Sequence, residues 1–458
     1  MPRLIDYLAQ SRLKSALLRI SPYRRAISRA YESERALMFA PVDEVRREQE
    51  RRLRELLTLA LRAPYWREVL GSRRIQPETF TLDRLGELPF LTKDVLRRHE
   101  QDLRIPGARG VYENFSGGST GIPIRFYQDD RYKVHMSVST RLCNEMAGAF
   151  PGARLAKLWG APQDKRQIES PRGRLKLWLL NHRYLDTFDM GPRRMDAYHA
   201  EMEEFQPDLI QAYASSIHLL ARHLKRRRIR PAYPRLGIIS SAERLTEAMR
   251  REIEEVFPVK VFNRYGSREV SAMAAECEHH NGLHITSAGH IVETVDPVTL
   301  EAVRGRPGEI VITVLHNHAM PFLRYRIGDM GRIEDAPCPC GRTTPRLVEL
   351  LGRTSDNFLM PDGRIVHGEY FTHMFYGRPE VKQFQFVQDA VDEFVLRLVP
   401  GKGYSAELGR RFEEELRLLI GSQARLRLEI REEIPKTASG KYRFTISKVS
   451  VDELAGVQ

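Results

Sequence analysis

Residues 114–123 of the chain read NFSGGSTGIP. Small residues without bulky side chains let successive N–H groups converge on an anion, and the hydroxyls of Ser116, Ser119 and Thr120 add donors. The same composition also makes a flexible linker. Neither GxxxxGK[ST] nor GxGxxG is present here, so the run alone leaves both readings open. Four further stretches carry reactive groups. NRYGSRE (Asn263–Glu269) sets an aromatic ring, a glycine, a hydroxyl and a carboxylate in series. Those parts can stack a base, turn sharply, touch a phosphate and hold a metal. RYRIGDMGRI places Asp329 after a strand, where it can accept hydrogen bonds from two ribose hydroxyls. GRTSDNF begins at Gly352, and PKTASGKYRF presents Lys441 on a Gly-Lys turn. Taken singly, each is also ordinary turn composition.

The cysteines are four: Cys143, Cys277, Cys338 and Cys340. That number does not describe a disulfide scaffold in a chain of 458 residues. Cys277, His284, Cys338 and Cys340 form the pattern C-x6-H…C-x-C, a donor set suited to tetrahedral Zn²⁺. His279 and His280 are competing ligands, and buried thiols without metal are the alternative. With four protein ligands no open position remains, so such a zinc would be structural. Cys143 reads as a core residue.

The elements that must position these groups alternate in the middle of the chain. ARLAKLWG, LIQAY, LGIISS and VKVFNRYG are strand-like, with SSIHLLARHLKRR and LTEAMRREIEEVF helical between them. This is α/β layering. Residues 1–70 read as helical, and LPFLTKDVL reads as a short strand followed by a helix capped by Thr92. From 282 to 334 the chain becomes β-rich, and about 100 residues after Arg353 have strand–helix–strand texture. The expected division is a large domain at 1–352 and a small one at 353–458. Hydrophobic residues are 42% and charged residues 29%, which excludes a disordered chain. No apolar run reaches the roughly 18 residues a membrane span needs. The N-terminus lacks the apolar centre of a secretory signal, so a cytoplasmic protein is expected. The net charge of +13 is spread along the chain, with no nucleic-acid-binding signature. The basic N-terminal helix candidate either packs on the body or lies on a membrane surface.

In order and spacing, SGGSTG, SAERL, YGSRE, YRIGD, GRTSD and PKTASGK resemble the motifs of the adenylate-forming enzyme superfamily. The flanking residues look most like the phenylacetate–CoA ligase family and its capsule-biosynthesis relatives, from about Glu50 to Lys441. The resemblance implies an α/β fold with a β-rich subdomain and a smaller, mobile α+β C-terminal domain. It implies ATP, Mg²⁺ and a small carboxylic acid as ligands, with CoA as the expected acceptor. An amine, a hydroxyl or a carrier-protein thiol is the alternative acceptor, and a non-catalytic nucleotide-binding paralogue is a further reading. Ser116, Gly117, Gly118, Ser119, Thr120 and Gly121 would form the phosphate loop. Ala242 and Glu243 would sit beside the adenine, with Tyr265 stacked on it and Gly266 and Ser267 following. Glu269 would bind Mg²⁺, Asp329 the ribose, and Arg353 would support the ribose side. Lys441 would be the lysine of adenylation. The chain departs from the family pattern at Arg268, where a hydroxyl residue is usual, and at Ser355, where the hinge carries paired aspartates. The acid pocket is expected from residues around 140–240, with Arg141, His182 and Arg183 as candidate readers of a polar substrate.

Overall fold

The computed structural model describes residues 22–116, 124–159, 168, 170–187, 190–353, 357–362, 365–367, 371, 374–375, 378–421, 423–435 and 443–449. The chain opens with helices α1 (Pro22–Leu37), α2 (Val42–Ala60) and α3 (Pro64–Ser72). In α2, Leu53, Leu56, Leu57 and Ala60 recur at three- and four-residue spacing, so burying one stripe leaves arginines and glutamates to solvent. Thr92 caps α4 (Lys93–Arg98) by accepting from Val95 N at 3.2 Å. The strand expected before it is a single bridge, Leu91 to Tyr325, since a 3₁₀ helix occupies Leu82–Glu87 and Pro89 has no N–H to extend a ladder. The N-terminal basic segment lies largely outside the described residues.

A hairpin of β1 (Tyr112–Phe115) and β2 (Arg125–Gln128) precedes α5 (Asp130–Met146). The layered region then runs β3 (Leu155–Trp159), α6 (Pro171–Leu179), β4 (His182–Asp186), α7 (Pro192–Phe205), β5 (Leu209–Ala212), α8 (Ala214–Arg226), β6 (Gly237–Ser241), α9 (Glu247–Val256) and β7 (Val261–Ser267). After it come β8 (Ser271–Glu276), β9 (Leu283–Ile285), β10 (His290–Val295), β11 (Gly308–Val314), β12 (Phe322–Glu334) and β13 (Arg346–Arg353). One eleven-stranded sheet holds them in the order β10-β11-β12-β13-β9-β8-β7-β6-β5-β3-β4. Its β4-to-β7 side is parallel, and from the β7–β8 pair onward every pair is antiparallel. Helices cover the parallel strands, so the central β5 and β6 are buried at every position, while the edge strand β4 buries only Leu185. Ile210, Ile238 and Val261 pack with Ile217, Leu220 and Ile253. Loops at the C-terminal ends of such strands are where α/β sheets place ligands.

A smaller α+β unit follows, with β14 (Asn357–Leu359) and β15 (Ile365–His367) forming a two-stranded pair. Its main sheet is β16 (Val381–Ala390), β17 (Glu393–Pro400), β18 (Arg425–Ile430) and β19 (Thr445–Ser447), ordered β18-β17-β16-β19. Helix α10 (Ala406–Ile420) contributes Phe412 and Leu416 to an aromatic core with Phe358, Phe371, Phe386 and Phe394.

In the larger unit, α1, α2, α5 and the β11–β12 loop meet at a buried polar knot. Glu34 Oε1 lies 2.6 Å from His135 Nδ1, the rings of His135 and His316 stack at 3.3 Å, and Arg52 Nη1 lies 2.8 Å from His316 Nε2. With Arg52 donating to Nε2, His316 is held neutral, and burial pushes its pKa down to about 3. The unfolded chain takes up a proton at His316 from about pH 6.5 downward, while the folded chain does not until about pH 3. Stability therefore falls as pH drops through that window, by up to about 1.4 kcal/mol per pH unit from this residue. Thermal unfolding followed from pH 7 to pH 4 should show a shallower decline in His316→Gln than in the wild type, although the variant starts lower.

Candidate functional site

The β7–β8 turn is built by a close backbone approach. A Cβ at Gly266 would lie 2.0 Å from the Ser271 carbonyl oxygen, so glycine is required there. The register shifts between Tyr265 and Gly266, and Ser271 takes a positive φ of 69°. Within the turn, Ser267 Oγ accepts from Glu269 N at 3.2 Å. Two buried side chains from the segment after the glycine-rich loop grip the turn from outside. Gln128 Nε2 donates to Arg268 O at 3.1 Å, and Tyr132 Oη donates to Glu269 O at 3.2 Å. Sequence reasoning missed Gln128 and Tyr132, since contacts between a side chain and a distant backbone leave no local pattern.

Tyr265 Oη donates to Asp329 Oδ2 at 2.6 Å, which joins the candidate base-stacking ring to the candidate ribose acceptor. Asp329 also stands opposite Arg353 in the β12–β13 register. Ala242 follows β6 with a positive φ of 66°. That conformation turns the chain so that Glu243 Oε2 accepts from Ser215 N, in the first turn of α8, at 2.8 Å. An anionic side chain is favoured at a helix N-terminus. At the ends of β3 and β5, Trp159 and Tyr213 stack with centroids 4.1 Å apart. On β7, Arg264 is buried and donates to Asn144 Oδ1 at 3.1 Å. Two of the candidate readers of a polar substrate are engaged elsewhere: Arg141 lies over the Tyr31 ring, and Arg183 pairs with Glu201 at 3.4 Å.

Gly117, Gly118, Ser119, Thr120 and Gly121 lie outside the described residues, but the base of their loop does not. Ser116 N donates to Ile124 O and Ser116 Oγ accepts from Ile124 N, both at 2.9 Å. Lys441 likewise lies outside the described residues. The flanks of its segment are tied to one strand: Gln383 Oε1 accepts from Ile434 N at 3.1 Å, and Gln385 Nε2 donates to Arg443 O at 2.9 Å. The side chain of Arg353, and residues 354–356 with the hinge Ser355, are also outside the described residues.

On the antiparallel side, Cys277, His284, Cys338 and Cys340 converge, their donor atoms all within 4.8 Å of one another. Cys277 Sγ and Cys338 Sγ are 3.8 Å apart, and Cys340 Sγ is 3.3 Å from His284 Nε2. Zn–S bonds of about 2.3 Å at tetrahedral angles give S···S edges of about 3.8 Å, whereas a disulfide needs about 2.05 Å. Burial pushes the Cys277 thiol up to about 12, so a cation is what would hold it as thiolate. The competing histidines stand apart: His280 Nδ1 faces Glu276 Oε2 at 3.1 Å and His279 is exposed. The choice of His284 follows from β9 pairing with β13, which sets His284 opposite Arg346 beside the cysteine loop. Cys143 is buried with Met38 and Met146, a packing role.

Comparison with known proteins sets this arrangement among adenylate-forming enzymes. The structure of 2-hydroxyisobutyryl-CoA ligase in complex with 2-HIB-AMP superposes with a TM-score of 0.70 at 19% identity, covering 92% of this chain and 94% of that one. Phenylacetate-coenzyme A ligase of Thermus thermophilus is 30% identical over 384 residues, 81% of this chain and 84% of the relative. Protein CapK of Staphylococcus aureus is 24% identical over 394 residues, 84% and 85% of the two chains. Residues 358–448 match the CapK C-terminal domain. The chain belongs to the phenylacetate–coenzyme A ligase family of the adenylate-forming superfamily.

Two outcomes test the geometry. Tyr265→Phe removes the hydrogen bond to Asp329, worth about 1 kcal/mol, and should raise the KM for ATP roughly fivefold with kcat little changed. Protein purified without added metal should contain about one zinc per chain, and Cys338→Ser should lose both the metal and thermal stability. Consistent absence of metal would remove zinc from the account.

Proposed function

We propose that this protein uses ATP to convert a small carboxylic acid into an acyl-adenylate and then passes the acyl group to a thiol, CoA being the first choice. The observation that carries the reading is the Tyr265–Asp329 hydrogen bond beside the Glu269 turn, at the place where parallel sheet becomes antiparallel. A carboxylate and a triphosphate are both anions, so the reaction depends on positioning and charge stabilisation. In this reading Tyr265, Ala242 and Glu243 hold the base, and Asp329 and Arg353 fix the ribose. Residues 116–121 would cradle the outer phosphates. Lys441 would act between the attacking carboxylate and the α-phosphate. Mg²⁺ at Glu269 would offset charge on the leaving pyrophosphate. The stacked Trp159 and Tyr213 border the acid pocket. The Cys277–His284–Cys338–Cys340 set would hold a structural zinc.

A second reading has an amine, a hydroxyl or a carrier-protein thiol as acceptor. It draws support from the match of residues 358–448 to the CapK C-terminal domain, the part of the chain that carries Lys441, together with Ser355 at the hinge.

The decisive measurement is ATP–pyrophosphate exchange against aromatic, fatty, amino and sugar acids. One acid class should support exchange, and Lys441→Ala should lower it by about two to three decades. Loss of ATP and acid without CoA consumption would favour the second reading. No carboxylate-dependent exchange with any acid would point to a nucleotide-binding paralogue.

A further inference from the structure

At the C-terminal edge of the parallel strands four side chains lie in one row. Leu158, Ala212, Ser240 and Asn263 are partners in turn across β3, β5, β6 and β7, so the residues that follow them, Trp159, Tyr213, Ser241 and Arg264, make the next row. Ile239 and Phe262, two residues before Ser241 and Arg264, pack with Ala147 at the end of α5. Side chains alternate along a strand, so the row faces α5 rather than α8 and α9. Arg264 also directly precedes Tyr265, at the edge where α/β sheets place ligands.

Arg264 is 7% exposed and its partners are neutral. Ser241 Oγ accepts from Nε at 3.4 Å, and Asn144 Oδ1 accepts from Nη1 at 3.1 Å. Three of its five N–H groups have no acceptor among the described residues. Burial lowers its pKa, and only the Cys143 thiol opposes that shift. That thiol is itself pushed up to about 12 and is uncharged at neutral pH. The last turn of α5, which carries Asn144, offers about half a negative charge. By contrast, the buried Arg52 and Arg324 each pair with a glutamate, and Arg346 donates to two backbone carbonyls. A buried cation without a counter-charge is strongly unfavourable, and a ligand that brings the missing charge relieves it. A second group on this face has the same need. Gln211, two residues before Tyr213, is buried, and its Oε1 has no donor among the described residues. The layer between the sheet and α5 thus holds a cation and an acceptor that the described protein groups leave unsatisfied.

We propose that Arg264 binds a second anionic group of the acid substrate, so that a short dicarboxylic acid is preferred over its monocarboxylic counterpart. The proposal rests on the adenylation reading above. Ser267, in the turn, is three residues further along β7, about 10 Å at roughly 3.3 Å per residue. A short diacid with one carboxylate at the level of the turn and the other at the guanidinium fits that depth. A carboxylate held in a salt bridge is a weaker nucleophile, so the group at Arg264 is the one that does not react.

The test is ATP–pyrophosphate exchange by the full-length protein with matched acids: propionate and malonate, butyrate and succinate, valerate and glutarate. For one pair, kcat/KM is expected to be about tenfold or more higher with the diacid. Arg264→Gln should lower it by roughly ten- to a hundredfold for that diacid and leave the monocarboxylate within about threefold. Arg264→Lys should keep the preference. Asn144→Asp supplies the missing carboxylate from inside the protein, so it should raise the melting temperature and abolish the diacid preference. Because that variant removes no packing, it carries the test even where Arg264→Gln fails to fold.

A diacid preference that survives Asn144→Asp or a folded Arg264→Gln would overturn the proposal by placing the second anion elsewhere. Equal loss for both members of a pair in folded Arg264→Gln would overturn it in favour of a structural arginine. Exchange only with acids bearing one anionic group, from these pairs or from the wider panel above, would overturn it and leave the adenylation reading standing. No exchange with any acid would bring down both.

Discussion

Between Gly266 and Ser271 two backbones come closer than any side chain allows, and the rest of the site depends on that approach. It is where an all-parallel, helix-covered sheet hands over to an antiparallel one. Parallel strands end their loops on one edge, while antiparallel hairpins return to it from the other side. Only at the junction can residues from both halves face one another. The meeting of Tyr265 with Asp329, from strands far apart in sheet order, is a product of that junction. Gln128 and Tyr132 then fasten the turn to the hairpin that carries the glycine-rich loop. The candidate phosphate, base and metal groups thus share one mechanical reference.

The antiparallel half needs its own fastening. Strand β9 is three residues long and pairs with only two residues of β13, a weak link in an eleven-stranded sheet. The cysteine–histidine cluster sits at that link, joining the turn after β8 to the loop between β12 and β13. A metal there would substitute coordinate bonds for the ladder hydrogen bonds that so short a strand cannot supply.

Much of this could be read from residues alone, and the reasons differ by element. Strands β3, β5, β6 and β7 and helices α8 and α9 are legible because short apolar stretches alternate with helical spacing there, whereas the edge strand β4, whose HRYLD buries only Leu185, carries no such signal. The turn at Gly266 is legible because steric exclusion leaves a single residue type. The C-x6-H…C-x-C pattern singled out His284 with His279 and His280 as competitors, and strand pairing is what brings His284 to the cysteines. The Leu88–Leu91 strand was over-read: apolar residues before a capped helix bury themselves equally well with one bridge to Tyr325. Gln128, Tyr132 and the knot around Glu34 were invisible, because a buried polar residue is defined by its partners, and those lie more than a hundred positions away.

Glu243 offers a last consequence. Its carboxylate holds the first turn of α8, and that helix begins directly after Tyr213, half of the aromatic stack at the ends of β3 and β5. One hydrogen bond therefore links the wall proposed for the base to the wall proposed for the acid. As relatives diverge toward new acids, changes at Tyr213 would pull on the nucleotide side as well. Such a lineage would evolve its acid preference more freely through Trp159 and the segment after it, leaving α8 as inherited ground.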